Sequence, residues 1–265
     1  MFLRSITGTR SVGSNRMLRE KITRGIPSLT GTIMILLALG ASISRSADSA
    51  EGKDYEIAYL KARITRMEQR IQQLRDRDAI ENLISIYGYY LDKNLWDQVA
   101  DLFAEDGTIE ISQRGVYAGK KRIRESLELY GPQGLPHGYL HNHIQTQPVI
   151  HITADGKTAW SRHRAVSQLG SFGKDGLTHG GVYENEYVKE NGIWKIKNDH
   201  VYTTFFVVYG KGLIAGARGA AMPSDSIPPD LPPSEIYEAF PGVYLPSFHY
   251  RHPVTDRDIK WEGNE

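Results

Sequence analysis

Nine histidines and no cysteine set the range of chemistry open to this 265-residue chain. Without thiols there is no disulfide, no thiolate nucleophile and no cysteine-ligated zinc. Proton transfer therefore falls to His, Asp, Glu, Tyr or Lys, or to a metal they hold. His141 and His143 stand two apart, so a strand would carry both imidazoles on one face, as two ligands of a metal require. No HExxH-type spacing supplies a third ligand, and the reading taken is a site without metal. His163 lies in a stretch whose alternation sends Ala159, Ser161, His163, Ala165 and Ser167 to one face and Trp160, Arg162, Arg164 and Val166 to the other. A histidine among small residues has room to border a cavity, which makes His163 a substrate-binding candidate. The competing reading is a ring on the sheet's outer surface. Nucleophile elbows, phosphate-cradling glycine loops and dinucleotide fingerprints are all missing from the sequence.

Those side chains need elements to position them. Apolar residues Ile57, Leu60, Ile64, Met67, Ile71 and Leu74 recur at spacings of three and four after an Ala/Ser/Asp/Gly linker at 47–54. This predicts an amphipathic helical arm with a coiled-coil seam, suited to packing or oligomerisation. A second helix is expected from Asp78 (Ile80, Leu83, Ile84, Tyr87, Leu91) and a third through Trp96, Val99, Leu102 and Phe103. Strands are expected at 108–112, 143–153, 158–169, 177–190 and 193–208, with a short helix at 120–130 and a Gly/Pro-rich loop at 131–138. Helices followed by an antiparallel meander predict an α+β fold, a cone-shaped barrel of curved sheet covered by helices and enclosing a pocket. Beyond Gly210 the chain turns Gly- and Pro-rich, then aromatic (Tyr237, Phe240, Tyr244, Phe248, Tyr250, Trp261). That extension, 210–265, is expected to wrap over the domain or a neighbouring subunit.

At the amino end, residues 25–44 carry no charge, basic residues Arg16, Arg19, Lys21 and Arg24 precede them, and small residues follow. This is the order of a signal peptide or a membrane anchor, placed at 1–47, with Met17 an alternative start. Export to the periplasm follows, or anchoring to the inner membrane if the segment stays uncleaved. The domain plan is then 1–47 address, 48–77 linker and arm, 78–209 globular domain, 210–265 extension. The net charge of +1 provides no footprint for nucleic acid. The expected partners are a small hydrophobic molecule and further copies of the chain, as a dimer or trimer, with membrane contact only through 25–44.

The run from Arg75 to Ile111 resembles the opening of SnoaL-like proteins of the nuclear-transport-factor-2-like superfamily. It carries Asp76-Arg77-Asp78-Ala79-Ile80, then Asp92, Trp96 and the stretch Leu102 to Ile111. HNHIQTQPVIHITADGKTAW and YENEYVKENGIWKI resemble two later hairpins of that family, so the likeness covers about half the chain, to roughly Val208. Its members include dehydratases such as the scytalone and bile acid enzymes, a dehydrochlorinase, an isomerase, cyclases and formaldehyde-eliminating lyases of lignin dimers. The resemblance implies the fold. It also implies a catalytic Tyr at Tyr87, an Asp at Asp92 and a His at His143, working without a cofactor.

In such a site Asp92 would fix the tautomer of the His143 imidazole, which would shuttle a proton, while Tyr87 would donate a hydrogen bond to a substrate oxygen. Several relatives place an Arg late in the sheet. This chain has none between Arg164 and Arg218, leaving Lys195, Lys197, Asn198 or His200 to substitute, with Asn198 and His200 taken as substrate-binding. The implied activity is that of a lyase, dehydratase-like or formaldehyde-eliminating, on an aromatic or polycyclic alcohol. The alternatives are an isomerase and a non-catalytic periplasmic binding or assembly module.

Overall fold

The computed structural model describes residues 29–174, 176–212 and 214–260, with side chains from residue 52 on. Much of the expected address segment lies outside them. Among the described residues no helix is long and apolar enough to cross a membrane. The described chain divides into two units after Ile64.

Helix α1 runs Leu29–Leu91 without a break, so neither the linker expected at 47–54 nor a fresh helix start at Asp78 is present. No proline falls inside it, and Gly52, the one glycine of the 47–54 stretch, costs a helix only about 1 kcal/mol. From Asp76 the helix turns a face into the core: Ile80, Leu83, Ile84, Tyr87 and Leu91 are buried. Asp76 is itself buried and accepts hydrogen bonds from Lys189 Nζ and Trp194 Nε1, which pins the helix to two strands.

After α2 (Trp96–Asp101) come β1 (Phe103–Ile111), β2 (Val116–Ala118) and α3 (Lys120–Leu127), the last extended by a 3₁₀ turn at Glu128–Tyr130. Four long strands follow, β3 (Tyr139–Ile152), β4 (Thr158–Ser171), β5 (Leu177–Glu190) and β6 (Ile193–Val208), and then β7 (Ala217–Arg218). The sheet order is β2-β1-β6-β5-β4-β3 with β7 beside β6; β1 lies parallel to β6 and the other pairs are antiparallel. The strand pairs do not join end to end, so the α+β fold is a curved open sheet rather than a closed barrel.

Its core is built on the face that α1, α2 and α3 cover, from Trp96, Phe103, Ile109, Ile123, Leu127, Tyr183, Tyr187 and Ile196. On β4 the burial alternates as the residue pattern requires, with Ala159, Ser161, His163, Ala165 and Ser167 inside.

One irregularity governs the site. On β6, Ile196 pairs with Tyr187 and Asn198 with Glu186, so two residues of β6 oppose one of β5. Such a bulge exchanges the faces of the residues that follow it, here as far as Thr203, where a second shift comes. Trp194 and Ile196 point inward before it, Asp199 and Val201 after it.

Candidate active site

Between the helices and the sheet lies a cavity of about 320 Å³, walled mostly by apolar side chains, at the small end of the range for ligand sites. His143 lines it from β3, with Ser167 from β4, His179 and Tyr183 from β5, and Tyr87 from α1. The His143 imidazole is held at both nitrogens: Nε2 lies 3.0 Å from Tyr183 Oη and Nδ1 lies 2.6 Å from Ser167 Oγ. Burial first, then the neighbouring imidazoles His141, His179 and His163, holds its pKa well below the ordinary 6.5. The ring is therefore neutral across the physiological range and able to accept a proton.

Asp92 does not meet that ring. Its Oδ1 accepts the backbone N–H of His143 at 2.6 Å, and the carboxylate faces a separate surface pocket with Ser85 and Tyr89. The side-chain pair expected from the sequence is thus replaced by a clamp on the backbone. β3 ends the sheet order, so the outward N–H of His143 has no strand to bond and takes a carboxylate from α1 instead. One turn earlier, Gly88 lets the helix approach: a Cβ there would come within 2.7 Å of the His143 carbonyl oxygen. The clamp fixes where the His143 backbone, and with it the imidazole, meets the cavity.

A second buried polar group stands across from it. Tyr87 Oη donates to Asp199 Oδ2 at 2.8 Å, and Asn185 Nδ2 donates to Asp199 Oδ1 at 2.7 Å. Asp199 has no exposed surface, and burial lifts its pKa from 3.8 to about 6 against the two donated hydrogen bonds. Burial and the nearby Asp199 push Tyr87 well above 10, so the phenol keeps its proton. The Tyr87 ring lies edge-on to both His143 and Tyr183, with centroids 6.3 and 6.4 Å away.

The sequence profile of the SnoaL-like domain matches residues 72–199, from the docked part of α1 to Asp199. This chain carries a SnoaL-like domain. Solved structures similar to it include a Novosphingobium aromaticivorans protein provisionally named scytalone dehydratase, 22% identical over 60% of this chain and 97% of that one, with a TM-score of 0.46. A type 2 hexachlorocyclohexane dehydrochlorinase is 20% identical over 52% of this chain and 92% of its own, with a TM-score of 0.47. An NTF2-like protein with a cystatin-like fold, also from Novosphingobium aromaticivorans, is 19% identical over 52% and 88%, with a TM-score of 0.42.

Within the SnoaL-like domain the remaining candidates separate. His163 is buried but stands behind Tyr183, stacked on its ring at 4.7 Å, with Nδ1 at 3.1 Å from Ser161 Oγ; burial lowers its pKa to about 3. It supports the cavity wall and does not line it. Asn198 and His200 fall on the outer face because of the β6 bulge. Asn198 Oδ1 accepts from Thr108 Oγ1, and His200 stacks on Tyr202 with Nε2 3.7 Å from Glu110 Oε2. Lys195 and Lys197 pair with Glu190 and Asp106. None of these four lines the cavity. His141 does, with Nδ1 at 3.0 Å from Asn94 Oδ1, and no group of three metal-ligating side chains is found among the described residues. The sequence reading missed Tyr183, Ser167, Asn185, Asp199 and Arg114. The alternation of Tyr183, Asn185 and Tyr187, two apart on β5, was the available signal for one shared inner face, and nothing marked the bulge that brings Asp199 to meet Asn185.

Proposed function

We propose that the SnoaL-like domain is a lyase that needs no cofactor and eliminates water or a small carbonyl fragment from a hydrophobic alcohol, aromatic or polycyclic. The observation that carries the reading is the neutral His143 imidazole, tethered at both nitrogens in the wall of a mostly apolar cavity opposite a tyrosine hydrogen-bonded to a buried acid. Elimination needs a base for the proton on carbon or phenol and an acid for the departing oxygen. Here burial pushes the two groups in opposite directions, His143 down and Asp199 up to about 6. Opposed shifts of this kind assign base and acid. In dehydration, His143 takes the proton, the carbon–oxygen bond breaks as the double bond forms, and Tyr87 hands its proton to the leaving hydroxyl, which departs as water. Asp199, in its protonated form, then restores the phenol, and the proton taken by His143 returns to Asp199 through solvent to close the cycle. An isomerase would use the same proton abstraction with return of the proton to another carbon.

The test is a screen of the purified protein against hydroxylated aromatics and steroids, with His143→Gln and Tyr87→Phe beside the wild type. Turnover in the wild type that falls steeply in His143→Gln supports the reading; equal turnover in both ends it.

A second reading, a binding module without turnover, is favoured by the use of Asp92 on a backbone N–H rather than on the imidazole. Under it, a ligand bound by the protein is recovered chemically unchanged. As part of the same proposal, the protein works in the periplasm or at the outer side of the inner membrane, on the strength of residues 25–44. Recovery of the protein in the cytosolic fraction would contradict that placement.

A further inference from the structure

Arg114 enters the cavity wall from the turn between β1 and β2, and no charge answers it. Its Nε is buried with no hydrogen-bond partner, and no carboxylate of the described residues lies within ion-pair distance of the guanidinium. The guanidinium lies over Tyr130, 5.2 Å from its carbon to the ring centroid, and its remaining N–H groups and charge act on the Tyr130 phenol, which leaves Nε unanswered. A cation in a mostly apolar wall, with a buried donor left unmade, is costly unless something satisfies it.

The turn is nevertheless held firmly. Ser112, at a φ of 62°, donates its N–H to Val201 and takes hydrogen bonds at Oγ from Thr203 Oγ1 and Ala221 N. Gln113 bonds the carboxy-terminal extension twice, its N–H to Ala221 O and its Nε2 to Tyr237 O. Ala221 itself reaches the cavity wall. The extension thus fixes the turn that aims Arg114 inward.

We propose that Arg114 is the docking residue for a carboxylate on the molecule that occupies the cavity. The guanidinium fork fits a carboxylate through paired N–H donors, and the apolar walls take the rest of the guest. The inference rests on the cavity being a ligand site, as proposed above, and names the class of ligand.

Benzoate and benzamide, of nearly equal shape, separate the charge from the ring. Calorimetric titration of the full chain at about pH 7 is expected to show benzoate binding tenfold or more tighter than benzamide, since hydrogen bonds to a charged partner exceed neutral ones by about that factor. The preference should vanish in Arg114→Met and persist in part in Arg114→Lys. Equal affinities in the wild type, no benzoate binding, or a preference unchanged in Arg114→Met each overturn the assignment. If Arg114→Met does not fold, Arg114→Gln and the wild-type comparison decide. Benzoate cannot undergo elimination, so failure here leaves the lyase reading standing, and failure of the lyase reading leaves this binding result intact.

A separate observation concerns α1. Ile57, Leu60, Ile64, Met67, Ile71 and Leu74 are all between 45% and 56% exposed and alternate by three and four residues. In heptad terms isoleucine takes every a position and leucine or methionine every d position, the pattern of parallel two-stranded coils. In that arrangement Glu56 of one copy faces Lys61 of the other and Arg63 faces Glu68, with Arg70 opposite Arg75 the single clash. An antiparallel pair would set Glu68 against Glu68, Arg63 against Arg70 and Lys61 against Arg75. We infer that the arm pairs with a second copy of this chain as a parallel dimer.

Sedimentation of the full chain should give a dimer that Ile64→Asp shifts to monomer. Because the chain has no cysteine, Ile57→Cys should oxidise to a covalent dimer only if the helices run parallel and in register. A monomer, a trimer, a dimer indifferent to Ile64→Asp, or no cross-link at residue 57 overturns the inference.

Discussion

Asp199 and His200 are neighbours on β6, yet they belong to two different polar clusters. Asp199 faces inward with Tyr87 and Asn185, one tyrosine away from the cavity. His200 faces outward, stacked on Tyr202 beside Glu110, and the carboxy-terminal extension closes over it. There Ser234 donates both N–H and hydroxyl to Glu110, the hydroxyls of Tyr202 and Tyr244 bond Glu235, and the Thr203 N–H donates to Tyr237 Oη at 2.7 Å. Both clusters are buried and hydrogen-bonded. They differ in what they abut: the side chains of Glu110, His200 and Tyr202 pack against the extension, whereas Tyr87 of the inner cluster lines the cavity. Equal burial therefore marks structure on one face of the strand and candidate chemistry on the other.

The largest effect that would sharpen this contrast is kinetic. His143→Gln should lower turnover by about 10² to 10⁴, the usual worth of a positioned proton acceptor, while shifting thermal stability little; steady-state rates and a melting curve read both. In the outer cluster Tyr237→Ala should do the reverse. It removes a stacked ring and orphans the Thr203 N–H, at about 3 kcal/mol of stability, measurable by urea unfolding. Turnover should fall only as far as the Gln113 anchor to the extension is lost.

Next comes the pH dependence of folding. The pKa of Asp199 is raised, so folding favours its protonated form, and its contribution is full below 3.8 and lost as pH rises through about 6. His163 and His179 are lowered, to about 3 and about 4, so their contribution is full above 6.5 and lost as pH falls toward those values. Asp199→Asn should remove the loss between 3.8 and about 6 and leave the acid limb in place. Unfolding free energies at a series of pH values check this, and an unchanged slope in the variant would break the assignment. The smallest effect is expected from Glu110→Gln, about 1 kcal/mol through one weakened bond to Ser234, with turnover unchanged.

The strands were legible because their residue patterns are local. β5 and β6 end where alternation and the Asn191-Gly192 turn set them. Tyr87 and His143 could be assigned to the interior by family likeness, and both line the cavity. Direction was harder to read. A motif gives the position of Asp92 but not whether its carboxylate reaches a ring or a backbone N–H, which depends on β3 being an edge and on Gly88 admitting the helix. Asn198 and His200 were offered only as stand-ins for the late Arg of relatives, and a bulge with no sequence mark of its own turns both to the outer face. The breaks expected at the 47–54 linker and at Asp78 failed for a related reason: neither stretch holds a proline, and composition alone does not oblige a helix to stop.

The central claim is that one cavity joins a neutral imidazole to an acid whose pKa has been raised toward neutrality. Carbon and nitrogen NMR titration of the folded protein reads both groups without any substrate. The account predicts an Asp199 carboxyl titrating near pH 6 while the His143 ring stays neutral through that range. An Asp199 midpoint near 3.8, or a His143 ring that gains its proton near 6.5, would contradict it.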